Sequence, residues 1–219
     1  MQYNELSSFD CCYSTVCKTH KKWSRIGVYE LFWKRCLSFY SKTKGIKRSK
    51  LLIDGSYIKN VGGRDQLGRN CTDRGRNGNK IMAVTDGDGV PISIILAKAN
   101  IHDNKLFKRA LDNIKIRKRN DKRRPQNMYA DKAFCSKAST KYANSIGYGL
   151  IVPEKKKRGK PRPKSTVESR LNNRIRGRVE ALFGWLDQYR ILFVRHEKYS
   201  ENYMGLTHFA CGLVTLMKC

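Results

Sequence analysis

Acidic residues are scarce in this 219-residue chain. Asp and Glu number 18 against 46 Lys and Arg, a formal net charge of +28. That imbalance is rare in soluble metabolic enzymes and points to a polyanionic partner, most simply nucleic acid. Long apolar runs are lacking too. The longest near the end, Phe209 to Met217, is interrupted by Gly212 and is too short to span a bilayer. The opening stretch MQYNELSSFDCCYST has no basic segment leading into an apolar one, which argues against a signal peptide. Paired C-x2-C zinc spacing is absent as well. The eight cysteines (11, 12, 17, 36, 71, 135, 211 and 219) follow no small-scaffold rhythm. Reduced thiols in an intracellular protein are expected, in cytoplasm or nucleoid if the host is prokaryotic. Cys17-x2-His20 is a lone half-motif for a metal.

What is present is a globular composition, 40% hydrophobic and 29% charged. The length suits one domain with a small appendage and a core that needs no disulfide or structural metal. Two short helices are expected over 13–40, turning at Gly27, with Val16, His20, Trp23, Leu31, Phe32 and Trp33 at helical spacing. Basic residues lie between the apolar ones. The pair reads equally as a DNA-binding module or as a solvated face packed on the main domain. Residues 41–50 are a basic linker. LLIDGSYI (51–58), KIMAVTD (80–86) and VPISIILA (90–97) read as strands, with a Gly- and Arg-rich loop over 60–79 and a GDG turn at 87–89. A helix over 104–118, a strand at 126–131, a helix at 135–146 and a strand at 148–153 follow. The runs 115–124 and 154–166 are basic, and the second is expected to be a mobile loop. A long helix over about 168–194 is expected to carry the stripe Val179, Leu182, Phe183, Leu186, Arg190 and Phe193. A last apolar helix spans about 203–217. Three antiparallel strands followed by helix-separated strands predict an α/β, ribonuclease H-like mixed sheet flanked by helices, with a helical segment at 1–48 and the main domain at 49–219.

Three acids stand among apolar neighbours: Asp54 in LLIDGSY, Asp131 in NMYADKAF, and Glu180 beside Val179, Ala181 and Leu182. An acid so placed is costly unless it is paired or holds a cation. In this fold the strands of Asp54 and Asp131 are adjacent and parallel, and Glu180 could face the same point. Clustered carboxylates suit a hard divalent cation. Two Mg²⁺ ions would activate a water or a 3′-hydroxyl against a phosphodiester. The plain alternative is that each acid pairs with an Arg, Glu180 with Arg176 at i−4 in particular.

At these residues the sequence resembles the DDE transposases of bacterial insertion sequences, most of all the insertion-sequence-five group. TVCKTHKKWSRIGVYELF (15–32), IDGSYIK (53–59), DRGRNGNKIMAVTDGDGVPI (73–92), YADKAFCS (129–136) and RIRGRVEALFGWLDQYRILFVRHEK (174–198) carry the match in order. The resemblance implies a ribonuclease H-like catalytic domain whose triad, Asp54, Asp131 and Glu180, binds Mg²⁺ or Mn²⁺, two ions. It also implies cleavage at element ends and strand transfer of the freed 3′-OH into target DNA, by a homo-oligomer on DNA and away from membranes. Arg176, four residues before the Glu, is expected on a DNA phosphate, and Lys80 likewise. Arg178, Lys132 and Arg190, basic residues near the triad positions, are expected DNA contacts too. His102 and Asp103 match a family pair whose role stays open between function and packing. Of the signature Tyr-x2-Arg-x3-Glu-x6-Lys, Asn173 replaces the Tyr and Asp187 the Lys. Members of this group usually carry tens of residues more ahead of the first matching stretch. The chain is therefore expected to be a downstream frame or a decayed copy.

Two other functions fit the same features. One is a non-catalytic DNA-binding remnant, which would bind with a steep salt dependence. The other is a nuclease or resolvase of the same fold that makes no strand transfer. RNA binding fits least, because the aromatics fall at core spacing.

Overall fold

The computed structural model describes residues 12–116, 126–153 and 167–219, without side chains for part of 167–176. The basic runs expected at 115–124 and 154–166 therefore lie almost wholly outside the described residues. The frame is a seven-stranded mixed sheet. Strand β1 (Lys50–Asn60) is its axis. Leu51, Leu52 and Ile53 are 1%, 0% and 1% exposed, so both faces of the strand are covered there. That burial explains the unbroken apolar run at the strand's start.

On one side β1 pairs antiparallel with β3 (Asn77–Thr85), which pairs antiparallel with β4 (Pro91–Lys98). A two-residue strand, β2 (Gly68–Arg69), extends the same edge of β3. On its other side β1 pairs parallel with β5 (Asn127–Ala130), and β5 with β6 (Gly149–Ile151). The strand order β4-β3-β1-β5-β6 is that of the ribonuclease H-like fold, as the sequence predicts. The tight β3–β4 turn is possible because Gly89 adopts φ +80°, a left-handed conformation that glycine takes without penalty.

Helices cover both faces. Ser93 donates to the Ala110 carbonyl of α3 (Asp103–Asp112), which places α3 on one face, with α4 (Lys137–Ser145) beside it. Helix α5 (Val167–Asp187) packs across β1 and β5, and α7 (Ser200–Met217) packs on β4. The N-terminal pair α1 (Tyr13–Arg25) and α2 (Val28–Thr43) lies on α7. Trp33, Leu37 and Tyr40 of α2 belong to the main core, and the Trp33 indole donates to the Pro91 carbonyl at 3.1 Å.

Three boundaries differ from the sequence reading. Helix α3 stops at Asp112, and Lys115 N then bonds the Ile92 carbonyl. The glycine-rich 60–79 segment is not all loop, for β3 begins at Asn77 and β2 lies within it. The long helix ends at Asp187 instead of running to 194. A short α6 (Arg190–Phe193) and strand β7 (Val194–Arg195) follow, and β7 pairs parallel with the far end of β1. Arg190 and Phe193 are exposed and take no part in an apolar stripe. Strand β7 is anchored by Arg195, which is 0% exposed. Its guanidinium donates to the Asp65 carbonyl, the Asn79 side chain, the carbonyls of Glu197 and Lys198, and the Asp65 carboxylate. These bonds tie β7 to β3 and to the segment of Asp65.

Candidate active site

Strand β5 pairs with β1 only over Lys50–Ile53, and β7 only over Lys59–Asn60. Between them, from Asp54 to Ile58, that edge of β1 has no strand partner among the described residues. Asp54 is the first residue of this opening. Its rung follows Ile53↔Ala130, so the residue alongside it is Asp131. Asp131 continues the extended backbone (φ −76°, ψ 166°) before a 3-10 turn at Lys132–Phe134. In-register neighbours on adjacent parallel strands project to the same face. Both carboxylates are half-buried, and Asp54 accepts from Gly55 N at 2.8 Å.

Glu180 comes from α5. Ile175, Val179, Leu182 and Leu186, at most 5% exposed, form the face that holds this helix on the sheet. Glu180 follows Val179 by one residue, about 100° around the helix, and is exposed. Among the described residues no group of three or more His, Cys, Asp or Glu is placed to hold a metal ion. The fold thus brings Asp54 and Asp131 together and leaves Glu180 on the flank of the helix that crosses their strands. All-oxygen donors of this kind suit a hard divalent cation rather than zinc. Among the described residues Cys17 and His20 likewise belong to no such group of three.

The basic residues separate. Lys132 is exposed and directly follows Asp131, and Arg190 is exposed at the start of α6. Arg176 lies one turn before Glu180, and its side chain is outside the described residues. Lys80 is placed differently from the expectation of a phosphate contact. It pairs across the strands with Tyr57, three residues from Asp54 and therefore on the opposite face of the sheet. Its ammonium is buried and bonds the Asp103 carboxylate at 2.6 Å and the Ile101 carbonyl at 3.1 Å, over the Tyr57 ring. Burial alone would lower its pKa, but the bonds to Asp103 and Tyr57 raise it, so the amine stays charged. His102 caps α3 by accepting from Asn104 N. Of the His102–Asp103 pair, the first thus caps the helix and the second pairs with Lys80.

Sequence reasoning placed the β3–β4 turn at GDG but missed what its acids do. Asp86 is 0% exposed, more buried than any acid singled out by its neighbours. Its carboxylate accepts from the backbone N of Lys47, Asp88 and Val90 at 2.9–3.2 Å. Burial raises its pKa although these N–H groups pull it down. The only sequence signal was a TDGDG run, which reads as an ordinary polar turn. Arg178 donates to the Gly87 carbonyl and lies 3.7 Å from the Asp88 carboxylate.

A family model described as the transposase DDE domain matches residues 45–212. The chain belongs to the DDE transposases. Among curated proteins, "Putative transposase for insertion sequence element IS402" of Burkholderia cepacia is 28% identical over 155 residues, which is 69% of this chain and 69% of that protein. Among solved structures, a piggyBac transposase synaptic complex with hairpin DNA is 14% identical, with a TM-score of 0.45. The match covers 78% of this chain but only 47% of the piggyBac chain. The catalytic domain of Mos1 mariner transposase is 11% identical over 87% of this chain and 92% of its own, with a TM-score of 0.36. The fold assignment for this family member rests on its strand order, not on these distant likenesses. No helix among the described residues is long and apolar enough to cross a membrane.

Proposed function

We propose that this DDE transposase cuts DNA at the ends of its element and joins the freed ends to target DNA, with Asp54, Asp131 and Glu180 as its acids. The observation that carries the reading is the placement of Asp54 and Asp131 on adjoining strands where β1 is left open. Hydrolysis breaks a P–O3′ bond and leaves a 3′-OH. That hydroxyl then attacks a target phosphorus and displaces another 3′-oxygen. Asp54, Asp131 and Glu180 would hold Mg²⁺ or Mn²⁺, two ions, which lower the pKa of the attacking oxygen and neutralise the phosphodiester. The strand pair fixes two acids rigidly, and α5 delivers the third from its exposed flank. Lys132, next to Asp131 in the chain, Arg190 at the start of α6, and Arg176, four residues before Glu180, are the basic residues assigned to DNA phosphates in this reading. The DNA is bound by a homo-oligomer, because both element ends must be held together.

Incubating the full chain with DNA from both flanks of its gene and Mg²⁺ or Mn²⁺ tests this. Metal-dependent nicks at the flanks, joined products and their loss in Asp54→Asn are expected. Cutting by Asp54→Asn at the wild-type level would refute the assignment. The dispersed Glu180 favours a second reading, a DNA-binding remnant. Binding with no cut under any metal would select it, and cuts without joined products would select a nuclease.

A further inference from the structure

Apolar burial holds α5 on the sheet but is non-directional. A helix seated only by Ile175, Val179, Leu182 and Leu186 could slide or roll by a fraction of a turn. The β3–β4 turn supplies direction. Arg178 donates to the Gly87 carbonyl. The Asp88 carboxylate lies 3.7 Å from the same guanidinium. The turn backbone also presses on the helix, for a Cβ on Gly89 would lie 3.0 Å from the Arg178 carbonyl oxygen. The turn is itself held firmly by the three backbone bonds to buried Asp86. Asp88 further accepts from Tyr40 of α2 at 3.3 Å and from Lys47 at 3.0 Å. This turn closes the hairpin whose β3 residue Ala83 pairs with Asp54. The contact therefore ties the helix carrying Glu180 to the strand frame carrying Asp54.

We propose that Arg178 and Asp88 form a latch that fixes the position of α5 and so sets Glu180, two residues on, relative to Asp54 and Asp131. They are positioning residues, and Arg178, its side chain half exposed, spends its charge on the turn instead of on DNA. The inference rests on the reading of Glu180 as the third acid. It goes beyond that reading by assigning the seating of the acid to the β3–β4 turn.

The test uses the full chain and its Arg178→Gln, Arg178→Lys, Asp88→Asn and Asp54→Asn variants. Mn²⁺ binding is followed by electron paramagnetic resonance, and DNA binding is titrated against salt. Loss of a group hydrogen-bonded to a metal ligand weakens metal affinity by about 10–100-fold, and a latch acting on Glu180 through its helix is expected at the low end. Arg178→Gln and Asp88→Asn are expected to weaken Mn²⁺ binding about tenfold with the salt slope unchanged. Arg178→Lys, which can still donate to Gly87, is expected to recover part of it. Wild-type Mn²⁺ affinity in Arg178→Gln, with a salt slope reduced by about 0.9, would overturn the latch and make Arg178 a phosphate contact. Equal Mn²⁺ binding by wild type and Asp54→Asn would instead overturn the metal reading. Amide exchange of α5 would then decide the latch alone: faster exchange over 179–186 in Asp88→Asn supports it, and unchanged exchange rejects it.

Discussion

The Lys80 ammonium lies 2.6 Å from the Asp103 carboxylate, on the face of the sheet opposite Asp54. It joins β3 to the first turn of α3. Breaking a buried ion pair from one side leaves the other charge unpaired and costs about 3–5 kcal/mol. Lys80→Met should fall at the low end, since the Asp103 side chain keeps 25% exposure. Urea unfolding should show the loss, and Lys80→Met with Asp103→Leu should regain much of it. The salt slope of DNA binding should stay as in wild type; a reduced slope would return Lys80 to the DNA surface.

Lys132 and Arg190 should behave in the opposite way. Replacing either with Ala should leave unfolding within about 0.5 kcal/mol of wild type. Each should reduce the slope of log K against log[salt] by about 0.9 if it neutralises a phosphate. Fluorescence anisotropy at several salt concentrations checks this.

Stability should fall in acid over two windows. Burial lowers the pKa of His208 to about 4, outweighing nearby Glu30, from an ordinary 6.5. Its ring stacks on Trp33 at 5.4 Å. The unfolded chain takes up that proton first, so stability is full above about 6.5 and declines as pH falls toward 4. Glu30 is held at about 2 in spite of burial, by hydrogen bonds from Lys34 and Lys115. Its contribution is present above the ordinary 4.5 and is lost as pH falls toward 2. His208→Phe should flatten the upper window by up to about 1.4 kcal/mol per pH unit. An unchanged profile of urea midpoints between pH 6.5 and 4 would show that His208 is not the group responsible.

Arg195 uses its guanidinium on five acceptors, and a Lys has three donors. Arg195→Lys is therefore not conservative, and at about 1–3 kcal/mol per stranded buried acceptor it should cost about 3 kcal/mol. A chemical denaturation curve within about 1 kcal/mol of wild type would contradict the network.

Two glycines should respond oppositely to alanine. A Cβ on Gly62 would meet the His196 carbonyl oxygen at 2.3 Å, a backbone atom that cannot swing aside. Gly62→Ala should cost about 1–3 kcal/mol. Gly184 of α5 has nothing within 4 Å of its Cβ position among the described residues. Gly184→Ala should stabilise by about 1 kcal/mol through helix propensity. Thermal unfolding of the two variants side by side checks both signs.

The sequence by itself determined the sheet, most helices and the neighbourhood of Asp54 and Asp131. Those features follow from local pattern: apolar runs long enough for buried strands, GDG at the hairpin turn, and an acid breaking each of two such runs. Tertiary structure alone decided the rest. Periodicity could not show that strand β7 follows the helix, because Arg195 is held there by three bonds to Asp65 and Asn79, more than a hundred residues away in sequence. Nor could it show that Lys80 turns to the face away from Asp54. That follows from strand register, which is set by pairing between segments more than twenty residues apart. Composition marked Asp86 and Asp88 as ordinary turn acids. Only the packing of α2, the linker and α5 around that turn made one fully buried and the other a meeting point for Tyr40, Lys47 and Arg178.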